Sequence, residues 1–219
     1  MPDLRAAVIP VTPFQQNCTI LFDEETKHGV VIDPGGDLDQ IGAAIEQLGI
    51  TVDMILLTHG HIDHAAGADQ LREALGVEIV GPHEDDKQLL DNLEAQGAMY
   101  GIAGARNVTP DRWLSEGDTV EIAGQPFDVL HCPGHSPGSV VFVNKPGKFA
   151  IVGDVLFRGS VGRTDLFGGD ADTLVQSIKT KVFPLGDDVS FLCGHGPGGT
   201  IGEERRTNPF VGENAKGFA

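Results

Sequence analysis

The apolar run Val52 to Leu57 breaks off into Thr58-His59-Gly60-His61-Ile62-Asp63-His64, and no other segment constrains the chain as strongly. A short apolar run bounded in this way reads as a buried strand. Residues just past a strand end leave the sheet on a rigid support, which is where functional side chains gather. Three imidazoles and one carboxylate within six residues offer nitrogen and oxygen donors suited to Zn²⁺ and its neighbours. Alternation through an extended turn sends His59 and His61 toward one point. Asp63 and His64 continue round the bend and face a second.

The rest of the chain repeats this grammar of short apolar runs punctuated by Gly, Pro and Asp. Residues 6–11, 18–22 and 29–33 read as strands, with a turn at 24–28. The spacing of Leu38, Ile41, Ala44, Ile45 and Leu48 predicts a helix, with Asp37 available as its N-cap and Gly49 as its stop. Further helices are expected at 64–75, at 84–96 (ended by the glycines from Gly97 to Gly104) and at 172–182. Strands are expected near 77–80, 119–122, 126–131, 139–143, 148–152 and 189–193. After Thr200 the tail is polar and is expected to finish in a weakly ordered Gly/Asn/Lys segment. Strands with helices in both halves, and no linker between them, predict one α/β domain over residues 1–219: two packed sheets with helices outside, an α/β/β/α sandwich.

Three more candidates stand at strand ends. His135 lies in His131-Cys132-Pro133-Gly134-His135-Ser136-Pro137-Gly138, Asp154 follows the run Phe149 to Gly153, and His195 lies in Cys193-Gly194-His195-Gly196. Alone, a loop histidine or a capping aspartate is ordinary. Beside the first motif they supply what a two-metal site lacks, a carboxylate able to bridge and one more imidazole for each metal.

Composition narrows the partners. The formal net charge is −17, and Arg205-Arg206 is the only basic cluster, so a nucleic-acid groove is not expected. No apolar stretch is long enough to span a bilayer. The first residues lack the basic-then-apolar pattern of a secretory signal, so a cytoplasmic location is expected. Cys18, Cys132 and Cys193 form no C-x-x-C pair, so no disulfide framework is expected; Cys18 reads as a small buried residue, while Cys132 and Cys193 stand just before histidines and are expected near a site without being ligands.

With these motifs in hand, the sequence resembles the metallo-β-lactamase superfamily in its ordered T-H-x-H-x-D-H, later histidine, aspartate and last histidine. The resemblance implies that His59, His61 and His135 bind one metal and Asp63, His64 and His195 a second. Asp154 would bridge the two together with a water or hydroxide, and Asp33 of the Asp33-Pro34-Gly35 turn would support the site from behind. Two divalent ions are implied, zinc first, with iron or manganese suited to the same donors. Asp63 and Asp154 are the expected catalytic carboxylates.

Within that superfamily the chain looks like a compact glyoxalase II, a hydroxyacylglutathione hydrolase. That resemblance rests further on Gly162-Arg163-Thr164-Asp165 and on Glu203-Glu204-Arg205-Arg206-Thr207-Asn208-Pro209-Phe210. It implies hydrolysis of a small-molecule glutathione thioester, of the S-lactoylglutathione type, to a 2-hydroxy acid and glutathione by attack of a metal-bridging hydroxide. The resemblance is to the compact type, for which the C-terminal helical domain of longer glyoxalase II enzymes is not expected. Arg163 would then meet the substrate, its guanidinium pairing a carboxylate, unless Asp165 holds it instead; Arg205 and Arg206 are weaker candidates.

Two other readings stay open at this point. A persulfide dioxygenase on the same fold would hold one iron through His59, His135 and Asp154, and a metal-binding module would bind without turnover. His28 and His83 read as surface or capping residues, and His131 as either a supporting donor or a core histidine. Trp113 and Tyr100 read as locally packed rather than pocket-lining. Ser136 and Cys132 are given no covalent role.

Overall fold

The computed structural model describes residues 3–215 and 217. The first half lays down strands β1 (Leu4–Val11), β2 (Gln16–Asp23), β3 (His28–Ile32), β4 (Thr51–Leu56) and β5 (Glu78–Val80) in spatial order β1-β2-β3-β4-β5. The first two pairings are antiparallel, and the last two are parallel. The parallel steps require crossovers, supplied by helix α1 (Leu38–Leu48) and by α2 (Ile62–Ala65) with α3 (Ala68–Leu75). Helices α4 (Lys87–Leu90) and α5 (Leu93–Tyr100) lead to the second half.

There, β6 (Thr119–Ile122), β7 (Gln125–His131), β8 (Val140–Asn144), β9 (Phe149–Ile151), β12 (Ser190–Leu192) and β13 (Gly199–Thr200) form a sheet of order β13-β12-β9-β8-β7-β6. A small hairpin, β10 (Leu156–Phe157) and β11 (Ser160–Val161), precedes helix α6 (Ala171–Ser177), and α7 (Ile201–Thr207) follows β13.

Side-chain alternation explains why these strands read as continuous apolar runs. In β2, β3 and β4, Leu21, Ile32 and Leu56 point between the sheets against Phe127, Phe142 and Ile151 of the other sheet. Their neighbours Ile20, Val31 and Ile55 point outward onto Ile41 and Ile45 of α1 and Leu71 of α3. The second sheet does the same, with Val141, Ala150 and Phe191 under Leu174 and Ile201. Both faces of each sheet are covered, as parallel pairing demands, and the layers are helix, sheet, sheet, helix as expected.

Several local expectations are corrected. Asp37 stands at the N-cap of α1 as expected, but its side chain does not cap the helix; it adopts φ 50° and its carboxylate accepts from the Thr12 N–H at 2.7 Å. The helix expected at 64–75 is two helices, because Gly67 turns its N–H to the Pro34 carbonyl at 3.0 Å. The segment expected as one helix at 84–96 is a tight turn, Glu84–Asp86, followed by α4 and α5, and α5 ends inside the expected glycine stretch rather than at 96. It continues through Gly97, where a Cβ would lie 2.4 Å from Ala105 Cβ, and stops at Gly101, φ 73°. The segment expected at 172–182 is α6 only to Ser177, then a wider turn through Val182. The tail after Thr200 opens with α7, whose first turn is capped by the Thr200 hydroxyl accepting from Glu203 N–H. Part of the Gly/Asn/Lys end lies outside the described residues. Among the described residues no helix is long and apolar enough to cross a membrane.

The turn after β3 lies against α2 without a gap. A Cβ on Gly35 would fall 1.5 Å from the Asp63 carbonyl oxygen, whereas one on Gly42 in α1 meets nothing within 4 Å. Gly35→Ala is therefore expected to cost about 1–3 kcal/mol by forced displacement of α2. Gly42→Ala should gain roughly 0.5–1 kcal/mol. Urea unfolding of the two variants checks both signs.

Candidate metal centre

Every expected donor arrives at the same rim, where the two sheets end. His59 and His61 follow β4, Asp63 and His64 ride on α2, His135 sits in the β7–β8 loop, Asp154 follows β9 and His195 follows β12. His135 Nε2 lies 2.8 Å from His61 Nδ1 and 3.2 Å from His59 Nε2. His195 Nε2 lies 3.2 Å from Asp63 Oδ2, and His64 Nε2 lies 3.9 Å from that oxygen. Asp154 joins the two groups. Its Oδ2 is 3.5 Å from both His135 Nε2 and His195 Nε2, and its Oδ1 is 3.3 Å from His64 Nε2.

The far side of each ring is tied down. Asp33 accepts from the Thr58 N–H at 2.7 Å, from the Thr58 hydroxyl at 2.6 Å and from His64 Nδ1–H at 2.9 Å. Because the Thr58 proton goes to Asp33, its oxygen is free to accept from His59 Nδ1–H at 3.0 Å. His135 Nδ1–H donates to the Arg163 carbonyl at 2.8 Å. In each of these histidines the outer nitrogen carries a proton, so the neutral ring presents its Nε2 lone pair to the centre.

Electrostatics sorts the rings into two kinds. Burial and the crowding of like imidazoles hold His59 well below the usual range and bring His61 down to about 3; burial also lowers His135. These rings are neutral, which is the state that ligates a metal. For His64, burial works the other way and is outweighed by Asp154, Asp63 and Asp33, which raise its pKa. His195 is likewise raised against burial, by Asp63 and Asp154. The Asp154 carboxyl is pulled down by His64 and His135 despite its burial.

These residues fit metal ions. Ligand nitrogens around a tetrahedral cation at about 2.0–2.1 Å stand roughly 3.3 Å apart, close to the separations found here. The buried His64 Nε2 and Asp154 Oδ1 have no hydrogen-bond partner among the described residues, although both face the centre. Another grouping, His83, Asp85 and His131, does not fit. Its imidazoles stack at 4.0 Å and 9°, so their in-plane lone pairs cannot meet at one ion. His83 instead accepts from Asp85 N–H, and His131 Nε2–H donates to the Pro137 carbonyl, which makes it a support for the His135 loop. His28 is exposed and pairs with Asp53.

The structure adds residues that sequence reasoning missed. Asp86 is completely buried and accepts from Gly60 N–H at 2.7 Å, Ser136 Oγ–H at 2.8 Å and Gly138 N–H at 2.6 Å. One carboxylate thus clamps the His59–His61 loop to the His135 loop. Burial pushes it up to about 6, against the pull of its three donors. In sequence it stands in Glu84-Asp85-Asp86-Lys87 and looks like a solvated acidic patch; nothing there marks it as buried.

A cavity of about 590 Å³ opens over the donors, and Phe14, Tyr100, Phe157 and Arg163 are among the residues lining it. Tyr100 therefore lines the pocket rather than packing locally, while Trp113 packs on the core. The Arg163 guanidinium is held by both oxygens of Asp165, each at 2.7 Å. Arg205 and Arg206 lie elsewhere, on Asp187. The narrower tail motif acts through Glu204, which accepts from Gly159 N–H at 2.9 Å, and Asn208, which donates to the Ser160 carbonyl at 2.9 Å; together they buckle the β10–β11 hairpin to α7.

Comparison with known proteins agrees with this arrangement. The profile of the Metallo-beta-lactamase superfamily matches residues 11–195, and the chain belongs to that superfamily. A Haemophilus influenzae relative, hydroxyacylglutathione hydrolase GloC, is 45% identical over 95% of this chain and 98% of its own. Among solved structures, the BLEG-1 B3 metallo-beta-lactamase superposes with TM-score 0.86 at 35% identity, covering 94% of this chain and 99% of its own. TTHA1623 in a di-iron-bound form gives TM-score 0.82 at 37% identity, covering 93% and 98%. The protein is a metallo-β-lactamase-fold metallohydrolase with a binuclear His/Asp metal site.

Two outcomes follow. Asp86→Ala would leave the buried Gly60 and Gly138 N–H groups unpaired, while Ser136 Oγ keeps Ser139 Oγ at 2.7 Å. It should destabilise the fold by about 2–4 kcal/mol and weaken metal binding roughly 10–100-fold, read by urea unfolding and by competition with a chromophoric chelator. Zinc titrated into metal-free protein should release protons from His64 and His195, whose pKa values the neighbouring carboxylates raise, and the release should shrink as pH rises. Calorimetry in buffers of different ionisation enthalpy measures this. The His64 imidazolium stabilises the metal-free fold below about pH 6.5, and that contribution disappears as pH rises through its raised value.

Proposed function

We propose that the protein hydrolyses a glutathione thioester of the S-lactoylglutathione type to a 2-hydroxy acid and glutathione. The observation that carries this reading is the single carboxylate of Asp154 shared between two donor triads, which suits a two-metal centre rather than a lone iron. Similarity to hydroxyacylglutathione hydrolase GloC supports the substrate class. His59, His61 and His135 would hold one cation, Asp63, His64 and His195 the other, and Asp154 both. Zinc is the expected metal, and the same donors take iron or manganese. Divalent cations so placed supply Lewis acidity at the thioester carbonyl and a water acidified to near neutrality.

The protein's own residues do the rest. Asp63 and Asp154, held ionised by the neighbouring imidazoles, orient the attacking water and take up no proton at neutral pH. Oxygen joins the acyl carbon, the C–S bond breaks, and the thiolate leaves with a proton drawn from solvent. No side-chain nucleophile competes. Burial pushes Cys132 up to about 12 and Cys193 up to about 11, and Ser136 spends its proton on Asp86. Arg163 offers its guanidinium to a substrate carboxylate once that carboxylate displaces Asp165.

Asp154→Ala should abolish thioester turnover and lower the bound metal, measured by elemental analysis alongside S-lactoylglutathione hydrolysis. Arg163→Ala should raise KM, and Asp165→Asn should lower it by freeing the guanidinium, with kcat little changed in both. One iron per chain with oxygen uptake on glutathione persulfide, or turnover of β-lactams in place of thioesters, would overturn the reading.

A further inference from the structure

The wall of the active-site cavity does not match a substrate held by its charges. Outside the metal donors it is built mainly from Phe14, Leu89, Tyr100, Phe157, Leu166 and Phe167. These side chains come from separate segments: the β1–β2 turn, α4, the end of α5, the β10–β11 hairpin and the loop after it. Phe14 and Tyr100 meet edge to face at 6.0 Å, and Phe157 stands edge-on to His195 at 6.1 Å. Phe14 is 44% exposed, Tyr100 47% and Phe167 55%. Large apolar groups left open to water around a metal centre mark a surface that a ligand covers.

Charge points the same way. Among the described residues lining the cavity Arg163 is the sole Lys or Arg, and two of its guanidinium nitrogens are already committed to Asp165. A lactoyl group is small and carries a hydroxyl. It would leave most of this wall wet.

Resting on the thioester reading above, we infer that the preferred substrates are glutathione thioesters whose acyl group is apolar and larger than lactoyl, a medium-length alkyl or an aryl-alkyl chain lying on this aromatic wall. Each methylene removed from water there is worth roughly fourfold in binding, so a chain of several carbons raises affinity well over tenfold even when partly covered.

Two measurements on the metal-loaded protein test this. Calorimetry compares S-hexylglutathione with S-methylglutathione, thioethers that have no scissile carbonyl and so report the cavity independently of hydrolysis. Kinetics compares S-hexanoylglutathione and S-phenylacetylglutathione with S-lactoylglutathione. The hexyl thioether should bind at least tenfold more tightly than the methyl one, and kcat/KM should rise by a similar factor from lactoyl to hexanoyl. Phe14→Ser and Phe167→Ser, substitutions at exposed positions, should each shrink both ratios. Equal binding of the two thioethers, no binding of either, or a flat or inverted dependence of kcat/KM on acyl size overturns the inference. Turnover with a flat dependence does so while leaving the hydrolase reading intact. A strong thioether preference without turnover of any thioester sustains the apolar wall and removes the hydrolase reading instead.

Discussion

The metal centre depends on one buried carboxylate that does not face it. Asp33 stands at the end of β3 with φ 53° and receives three hydrogen bonds, two from Thr58 and one from His64. Through Thr58 it decides which nitrogen of His59 is protonated, and directly it decides the same for His64. One residue therefore sets the tautomer of a ring in each donor triad. It also fastens the end of β3 to the end of β4, so the geometry of the first sheet and the aim of the imidazoles are a single problem. Asp86 plays the complementary part between the two halves, pulling the loop after β4 onto the loop after β7.

The legible part of this molecule was what periodicity and donor chemistry announce. The strands of both sheets and α1 could be read because apolar runs are local signals, and His/Asp spacing named seven candidate donors in the same way. The structure then brings those seven to one rim, which spacing alone does not guarantee. What escaped is non-local. Asp37 looked like a helix cap because its neighbours in sequence are helical, but its partner is Thr12, across a turn. Asp86 looked like surface charge because the donors that bury it belong to residues 60, 136 and 138. The helix after Thr200 was hidden by a polar composition whose purpose shows only when Glu204 and Asn208 reach the hairpin. Tyr100 was misread for a similar reason, since the cavity it lines is assembled from distant loops.

The fold thus separates two tasks. Strand ends and the short helix α2 fix the candidate donors, most of them buried, while the wall of the cavity is carried by turns and short hairpins at the surface. Among the described residues of that wall the one Lys or Arg is Arg163, and Asp165 engages it. A site of this kind keeps its chemistry in the scaffold and its selectivity in the loops.

Arg163 sits on the boundary between these tasks. Its carbonyl oxygen holds His135 in place, while its side chain points into the cavity. A main-chain carbonyl is the same for every amino acid. Position 163 can therefore pass through many side chains during divergence without altering the aim of a single metal donor, and a lineage can move from one substrate to another there while the reactive centre stays constant.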